Sequence, residues 1–286
     1  MGTIEKDVAG LKWGSDLVAD EATGQIKHDE LDHYAAQVAE VSQEFCPVIF
    51  TSGASAAGKA YLEGQGVDTS KFGSQEFAAA GTDEISKAWK QALIRHGIVG
   101  VQVLANHDQM KPGSILMRTL LHGIGLGIVY IINENDQENL FELKLYEQYE
   151  QAQTDQQMQT AVRVKKPGVD NDFLAARGML ALKKELAAEG QPELAVHLAL
   201  FTAIGGFVLD GAIQPEIRST KRDWLVQQCD GKSGLGTGGM EFKIDAAFLA
   251  AKGGVHTTIA SPAHGFLDIL KPVDGEDTPS RTLVLQ

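Results

Sequence analysis

Short unbroken apolar runs, each halted by small or polar residues, alternate along this chain with stretches long enough for a helix. Residues 47–50 (Pro-Val-Ile-Phe), 97–104, 127–132, 194–201 and 255–260 read as buried strands, residues 7–11 as a shorter one, and 280–285 as a terminal one. Between them, residues 29–45 place Leu31, Tyr34, Ala35, Val38 and Val41 on one helical stripe. Residues 77–96, 115–126, 173–189 and 240–252 also read as helices. Strands and helices alternating this regularly imply right-handed crossovers and a mainly parallel sheet, hence the α/β class. With 286 residues, 43% of them hydrophobic, the chain can bury one large core or two unequal lobes. Ligands of such sheets bind at the carboxyl ends of the strands, so the residues that follow each apolar run carry the functional argument.

The first run leads into Lys12-Trp13-Gly14-Ser15-Asp16, where a lysine before a glycine suits a phosphate contact, or is a solvated side chain at a turn. The second ends in Thr51-Ser52-Gly53-Ala54-Ser55-Ala56-Ala57-Gly58. Ser52 and the amides of Gly53 and Ala54 offer donors to an anion there, and the same small residues would serve a tight strand-to-helix crossing. Asn133-Glu134-Asn135-Asp136 follows the fourth run and is more polar than a turn requires. Asp170-Asn171-Asp172 precedes a helix, where one carboxylate caps the first turn and the other is surplus.

Most informative is 233–243, Ser-Gly-Leu-Gly-Thr-Gly-Gly-Met-Glu-Phe-Lys, which runs straight into the helix at 240–252. Its glycines let the backbone approach a ligand, and the helix start concentrates N–H groups and the positive end of the dipole. Lys243 in the first turn adds a full charge. A flexible linker fits less well, because linkers are Ser-rich and do not enter an apolar helix. The spacing matches neither a Walker A loop nor the Rossmann fingerprint. The stretch reads as an anion site.

A net charge of −13 speaks against nucleic-acid partners, since a phosphate backbone needs a basic face. Two cysteines, Cys46 and Cys229, are too few for a disulfide framework and suit a reducing cytosol. No apolar leader and no run of membrane-spanning length is visible, so the expectation is a cytoplasmic protein without membrane partners. The histidines show no ligand spacing, and no metal ligands are assigned. Between Phe141 and Val164 alternating apolar residues suggest a β-hairpin whose Gln-rich tip spans residues 146–159.

Taken in order, Thr51 to Gly58, Ile131 to Asp136, Asp170 to Asp172 with Leu174 and Ala175, and Ser233 to Lys243 resemble the motifs of the amino acid kinase family. Within it the likeness is to the branch that phosphorylates the side-chain carboxylate of glutamate, the first step of proline biosynthesis. Arg281-Thr282-Leu283 also resembles the close of the kinase domain. The resemblance implies a three-layer αβα sandwich, a kinase domain alone without the PUA-type carboxy-terminal domain, and use of ATP with Mg²⁺. Residues 1–168 would be the amino-acid-binding half, with the hairpin insertion at 137–168, and residues 169–286 the ATP-binding half. It further implies that Ser52, Gly53, Ala54, Asp136 and Asn171 bind the amino acid and that Lys12, Asp172 and Lys243 are catalytic, with the aspartate orienting the lysines. Lys12, Gly14, Thr202, Ala203, Thr237, Gly238, Gly239, Met240 and Lys243 would line the nucleotide. The implied partners are a small-molecule acid and further copies of the chain in a dimer or tetramer.

The sequence departs from the family pattern in several places. Thr202-Ala203 stands where the family has Thr-Asp, Asp16 where it has Ser, and Gly81-Thr82 where it has Gly-Gln. The stretch from Asp136 to Asp170 exceeds the usual spacing. These departures favour a second class of function, a degenerate kinase fold that binds a ligand as a sensor; a kinase for another small acid is the third.

Overall fold

The computed structural model describes residues 4–20, 22–135, 170–229, 239–271 and 281–286. The elements run β1 (Asp7–Lys12), α1 (Ser15–Val18), α2 (His28–Val41), β2 (Phe45–Phe50), α3 (Ala54–Gly64), α4 (Ser74–Arg95), β3 (Gly100–Ala105), α5 (Ile115–Ile124) and β4 (Val129–Glu134). After residues 136–169 come α6 (Asn171–Ala188), β5 (Val196–Phe201), the small hairpin β6 (Val208–Leu209) with β7 (Ala212–Ile213), and β8 (Glu216–Arg218). The chain closes with α7 (Arg222–Gln228), α8 (Met240–Lys252), β9 (His256–Ala260), α9 (Phe266–Leu270) and β10 (Arg281–Leu285).

Eight strands form one sheet in the order β3-β4-β2-β1-β5-β9-β10-β8. All pairings are parallel except β9 with β10. Alternate side chains serve opposite faces. Val8, Val48, Phe50, Ile132, Leu198, Leu200 and Ile259 pack with α5, α6 and α8, while Ala9, Leu11, Ile49, Ile131, Ala199, Phe201 and Ala260 pack with α2, α4 and α9. This is the α/β, three-layer αβα sandwich, and the period of two along each strand is what sorts the two cores. The two halves of the chain meet inside the sheet, where Val8 to Lys12 pair with Val196 to Leu200.

Element types agree with the sequence reading, and several ends move. The helix over 240–252 has those ends, whereas β4 runs on through Asn133 and Glu134, two residues past the end of the strand read over 127–132. Ladder pairing with β3 as far as Glu134 overrides the turn propensity of Asn. The helix read over 173–189 begins at Asn171 because Asp170 caps it, and that read over 77–96 begins at Ser74, where the Gly73 N–H donates to the Glu76 carboxylate at 2.9 Å. The helix read over 29–45 stops at Val41, and β2 already begins at Phe45. The short pieces β6, β7, β8 and α9 were not anticipated; they carry too few residues for a period to show. The hairpin expected between Phe141 and Val164, with its tip at 146–159, lies outside the described residues.

Candidate active site

Strand alternation aims Lys12. Val8 and Gly10 face α6, so Lys12, two residues on, faces the same layer, and Leu11 and Trp13 turn to the other. There Trp13 is fully buried in an aromatic cluster with Trp89, Phe201, Tyr34 and Phe266, its ring centroid 4.8 Å from that of Trp89. The next residues make a glycine turn, Gly14, into α1. The backbone at Lys12 is thus held by β2 and β5 on either side and by the indole wedged beside it.

Asp172 arrives from the first turn of α6. Asp170 Oδ1 accepts the N–H of Phe173 at 2.9 Å and caps the helix, so Asp172 is the carboxylate left for other work. Its Oδ1 lies 2.6 Å from Lys12 Nζ and 3.1 Å from Lys243 Nζ, and Lys243 also donates to Oδ2 at 3.2 Å. Lys243 comes from the first turn of α8, which packs along α6. All three are buried, with 5%, 4% and 8% exposure for Lys12, Asp172 and Lys243. Two ammonium groups from opposite halves of the chain therefore share one carboxylate.

Burial alone would raise the Asp172 pKa; Lys12 and Lys243 overcome it and hold the carboxyl well below the ordinary carboxylate range. Burial pushes the Lys243 ammonium down from its usual 10.5, and the neighbouring Asp172 opposes that shift. Asp170 moves the other way, raised first by burial and then by repulsion from Asp172. A carboxylate with two ammonium partners is the stable ionised member of this group.

The remaining expected residues sit along the same carboxyl edge of the sheet. Ser52 follows β2, and Gly53, at φ +97°, turns the chain into α3 with no side-chain cap. Gly53 packs against α1, close to Ser15, Val18 and Ala19. Gly58 and Gly81 let α3 and α4 cross at backbone distance; a Cβ on Gly81 would stand 1.8 Å from the carbonyl oxygen of Ala54. Thr82, next along α4, donates its hydroxyl to the Ala78 carbonyl at 2.7 Å. Thr202 ends β5, its N–H donating to the Ala260 carbonyl at 2.9 Å, and Ala203 is exposed beside it. Gly239 and Met240 open α8, again without a side-chain cap. Asp16 folds its carboxylate back over the Gly14 turn, and its backbone carbonyl accepts from Lys27. Asp136, Thr237 and Gly238, together with the rest of the glycine stretch up to Gly238, lie outside the described residues.

Asn171 Oδ1 accepts the N–H of Glu134 at 3.1 Å, which ties the end of β4 to the start of α6. Asn133, 3% exposed, has no hydrogen-bond partner for either amide atom among the described residues. A buried amide with both atoms idle costs free energy unless a ligand meets it. Sequence spacing gives no hint that Glu134 meets His107 or that Trp89 donates to Thr51 at 3.1 Å. Both pairings join segments far apart in the chain. No group of three His, Cys, Asp or Glu side chains able to hold a metal ion gathers among the described residues.

The sequence profile described as "Amino acid kinase family" matches residues 11–144. A glutamate 5-kinase of Rhodopseudomonas palustris (strain BisB5) is 28% identical over 261 residues, covering 88% of this chain and 61% of the relative. A glutamate 5-kinase of Dehalococcoides mccartyi (strain CBDB1) is 29% identical over 282 residues, covering 95% and 67%. The chain thus spans 61% and 67% of the length of these two curated relatives. Among solved structures, carbamate kinase from Giardia lamblia bound to AMP-PNP superposes with a TM-score of 0.62 at 12% identity, covering 98% of this chain and 99% of that one. UMP kinase from Ureaplasma parvum gives 0.55 at 12% identity, covering 99% and 100%. The chain resembles the amino acid kinase family in sequence and shares its fold.

Proposed function

We propose that this chain is an ATP-dependent phosphotransferase acting on a small carboxylic acid, and that the acid is glutamate, phosphorylated on its side-chain carboxylate. The observation that carries the reading is the buried Lys12–Asp172–Lys243 group, two cations from the two halves of the chain on one ionised aspartate. The similarity to curated glutamate 5-kinases supports the choice of acceptor.

In this reaction the acceptor needs no general base, because a carboxylate is already ionised near neutral pH. One carboxylate oxygen attacks the γ-phosphorus and forms the new P–O bond. The bond to the bridging oxygen breaks, and its electron pair leaves on the ADP β-phosphate. The barrier is lowered by in-line placement and by neutralising charge on the three transferring oxygens. Lys12 and Lys243 are the groups proposed for that neutralisation, reoriented from Asp172 toward the phosphoryl group as it passes. Asp172 keeps both ammonium groups at one point and compensates their burial while no phosphate is present. The uncapped start of α8 suits the nucleotide phosphates. Mg²⁺ would be carried on those phosphates and would neutralise part of their charge. Ser52, Gly53, Ala54 and Asn171, with Asp136, are the proposed contacts of the acceptor. Thr202, Ala203, Gly14, Gly239 and Met240, with Thr237 and Gly238, are those of ATP.

The test is ADP release with ATP and Mg²⁺ across a panel of small carboxylates, with hydroxylamine trapping any acyl phosphate. Hydroxamate formed with glutamate alone is the expected result; release with carbamate or another acid instead would keep the phosphotransferase and replace the acceptor. Ala203 in place of the family's aspartate favours a second reading, a ligand sensor without turnover. Thermal stabilisation by a ligand with no ADP release from any acceptor would establish it.

A further inference from the structure

The loop between β3 and α5 plays no part in the chemistry above, yet it is fastened to α6 along its length. Met110 is buried against Gly178 in the middle of that helix. Further on, the N–H of Gly113 donates to the buried carboxylate of Glu185. At the head of the loop, His107 Nε2 stands 3.3 Å from Glu134 Oε1, the two side chains 12% and 6% exposed. Neither ring nitrogen of His107 has an aligned hydrogen-bond partner among the described residues. Ring nitrogens shielded from water cost free energy unless a polar group meets them, and the Glu134 carboxylate is the group that faces this ring. The backbone N–H of the same Glu134 reaches Asn171 Oδ1, and the residue after Asn171 is Asp172. Glu134 takes this orientation by strand alternation, sharing the α5–α6 face with Ile132 and Tyr130.

We propose that His107 is a positioning residue: through Glu134 it braces the end of β4 against the first turn of α6 and so sets where Asn171 and Asp172 stand. The His107–Glu134 contact joins the carboxyl ends of neighbouring strands β3 and β4, and the Glu134–Asn171 bond carries the constraint to the helix that bears the shared carboxylate. The loop's other two anchors hold α6 lower down, so among the loop's contacts only this brace reaches the first turn.

The kinetic part of the test rests on the phosphotransferase reading, and the exchange part does not. In His107→Ala, amide hydrogen exchange at Glu134, Phe173 and Leu174 should speed up about tenfold, with the amides of β1 and β5 unchanged. His107→Gln, which restores a polar group of similar reach, should return those rates to within about threefold of the parent. With turnover, His107→Ala should raise the acceptor KM about tenfold while the nucleotide KM stays within about twofold. Unchanged exchange at Glu134, equal acceleration throughout the sheet, or failure of His107→Gln to restore protection would each overturn the proposal. If His107→Ala does not fold, His107→Asn is read by the same criteria. A parent protein that turns over no acceptor would refute the proposed function while the exchange result still decides the brace.

Discussion

Helices α6 and α8 lie side by side and start at the same edge of the sheet, but they begin in opposite ways. α6 opens on Asp170, whose side chain bonds the Phe173 amide, and then presents a second carboxylate, Asp172. α8 opens on Gly239, with no side chain of the described residues capping it, and presents Lys243. The first helix start is closed to anions by its own charge. The second has no carboxylate at its cap, Gly239, and under the proposed function its dipole and its lysine attract the nucleotide phosphates. The pair meets in the Lys243–Asp172 contact, so the first helix anchors the lysine that the second presents. What this teaches is that helix N-termini in one molecule are not equivalent anion sites; the cap residue decides.

The largest way to break the comparison is Asp172→Ala. It leaves Lys12 and Lys243 buried and facing each other, and should cost about 3–5 kcal/mol of stability, read by denaturant unfolding. The acid limb tests the same group. Because the folded-state pKa of Asp172 is depressed below the ordinary value of about 3.9, its stabilisation is complete above that pH and is lost as pH falls toward the folded value. Asp172→Asn should therefore show a flatter loss of stability below about pH 4 than the parent. Next comes Lys243→Ala, which keeps the Lys12–Asp172 pair. Turnover should fall by roughly 100- to 1000-fold, about 3–4 kcal/mol in the barrier, and turnover like that of the parent would refute the role of α8.

A smaller change would make α8 resemble α6. Gly239 already has extended backbone suited to an N-cap. Gly239→Asp should raise stability by a few tenths to about 1 kcal/mol, yet weaken nucleotide binding by placing a carboxylate at the phosphate end. Isothermal titration with a non-hydrolysable nucleotide measures the second effect; unchanged affinity would mean that phosphate does not approach this terminus. Smallest is the converse at α6. Asp170→Asn preserves a capping acceptor and removes a carboxyl whose pKa burial, and then repulsion from Asp172, raises, so stability at neutral pH should stay within about 1 kcal/mol of the parent, by thermal melts.

Much of this arrangement is legible along the chain. Continuous apolar runs such as Val48 to Phe50 mark strands buried on both faces, and Asp170-Asn171-Asp172 before a helix announces one carboxylate more than a cap requires. Less legible is the end of β4, because Asn133 and Glu134 look like turn residues until β3 pairs with them. The hairpin β6–β7 and strand β8 are too short for a period, and the antiparallel placement of β10 is a matter of how the chain returns, not of its residues. Trp13 follows a candidate lysine at the end of a strand, and only the packed molecule reveals it as the centre of an aromatic core.

By itself the sequence determined which segments are strands and helices, that the sheet is mainly parallel, and which residues are chemically able to meet an anion. Those properties are local: period, cap chemistry and side-chain type act over a few neighbouring residues. The tertiary structure alone decided the order of the eight strands, the distances at which Asp172 meets the two lysines, and that His107 reaches Glu134. Each of these joins segments distant in the chain, and which of many possible long-range pairings forms is settled by the joint packing of the whole core.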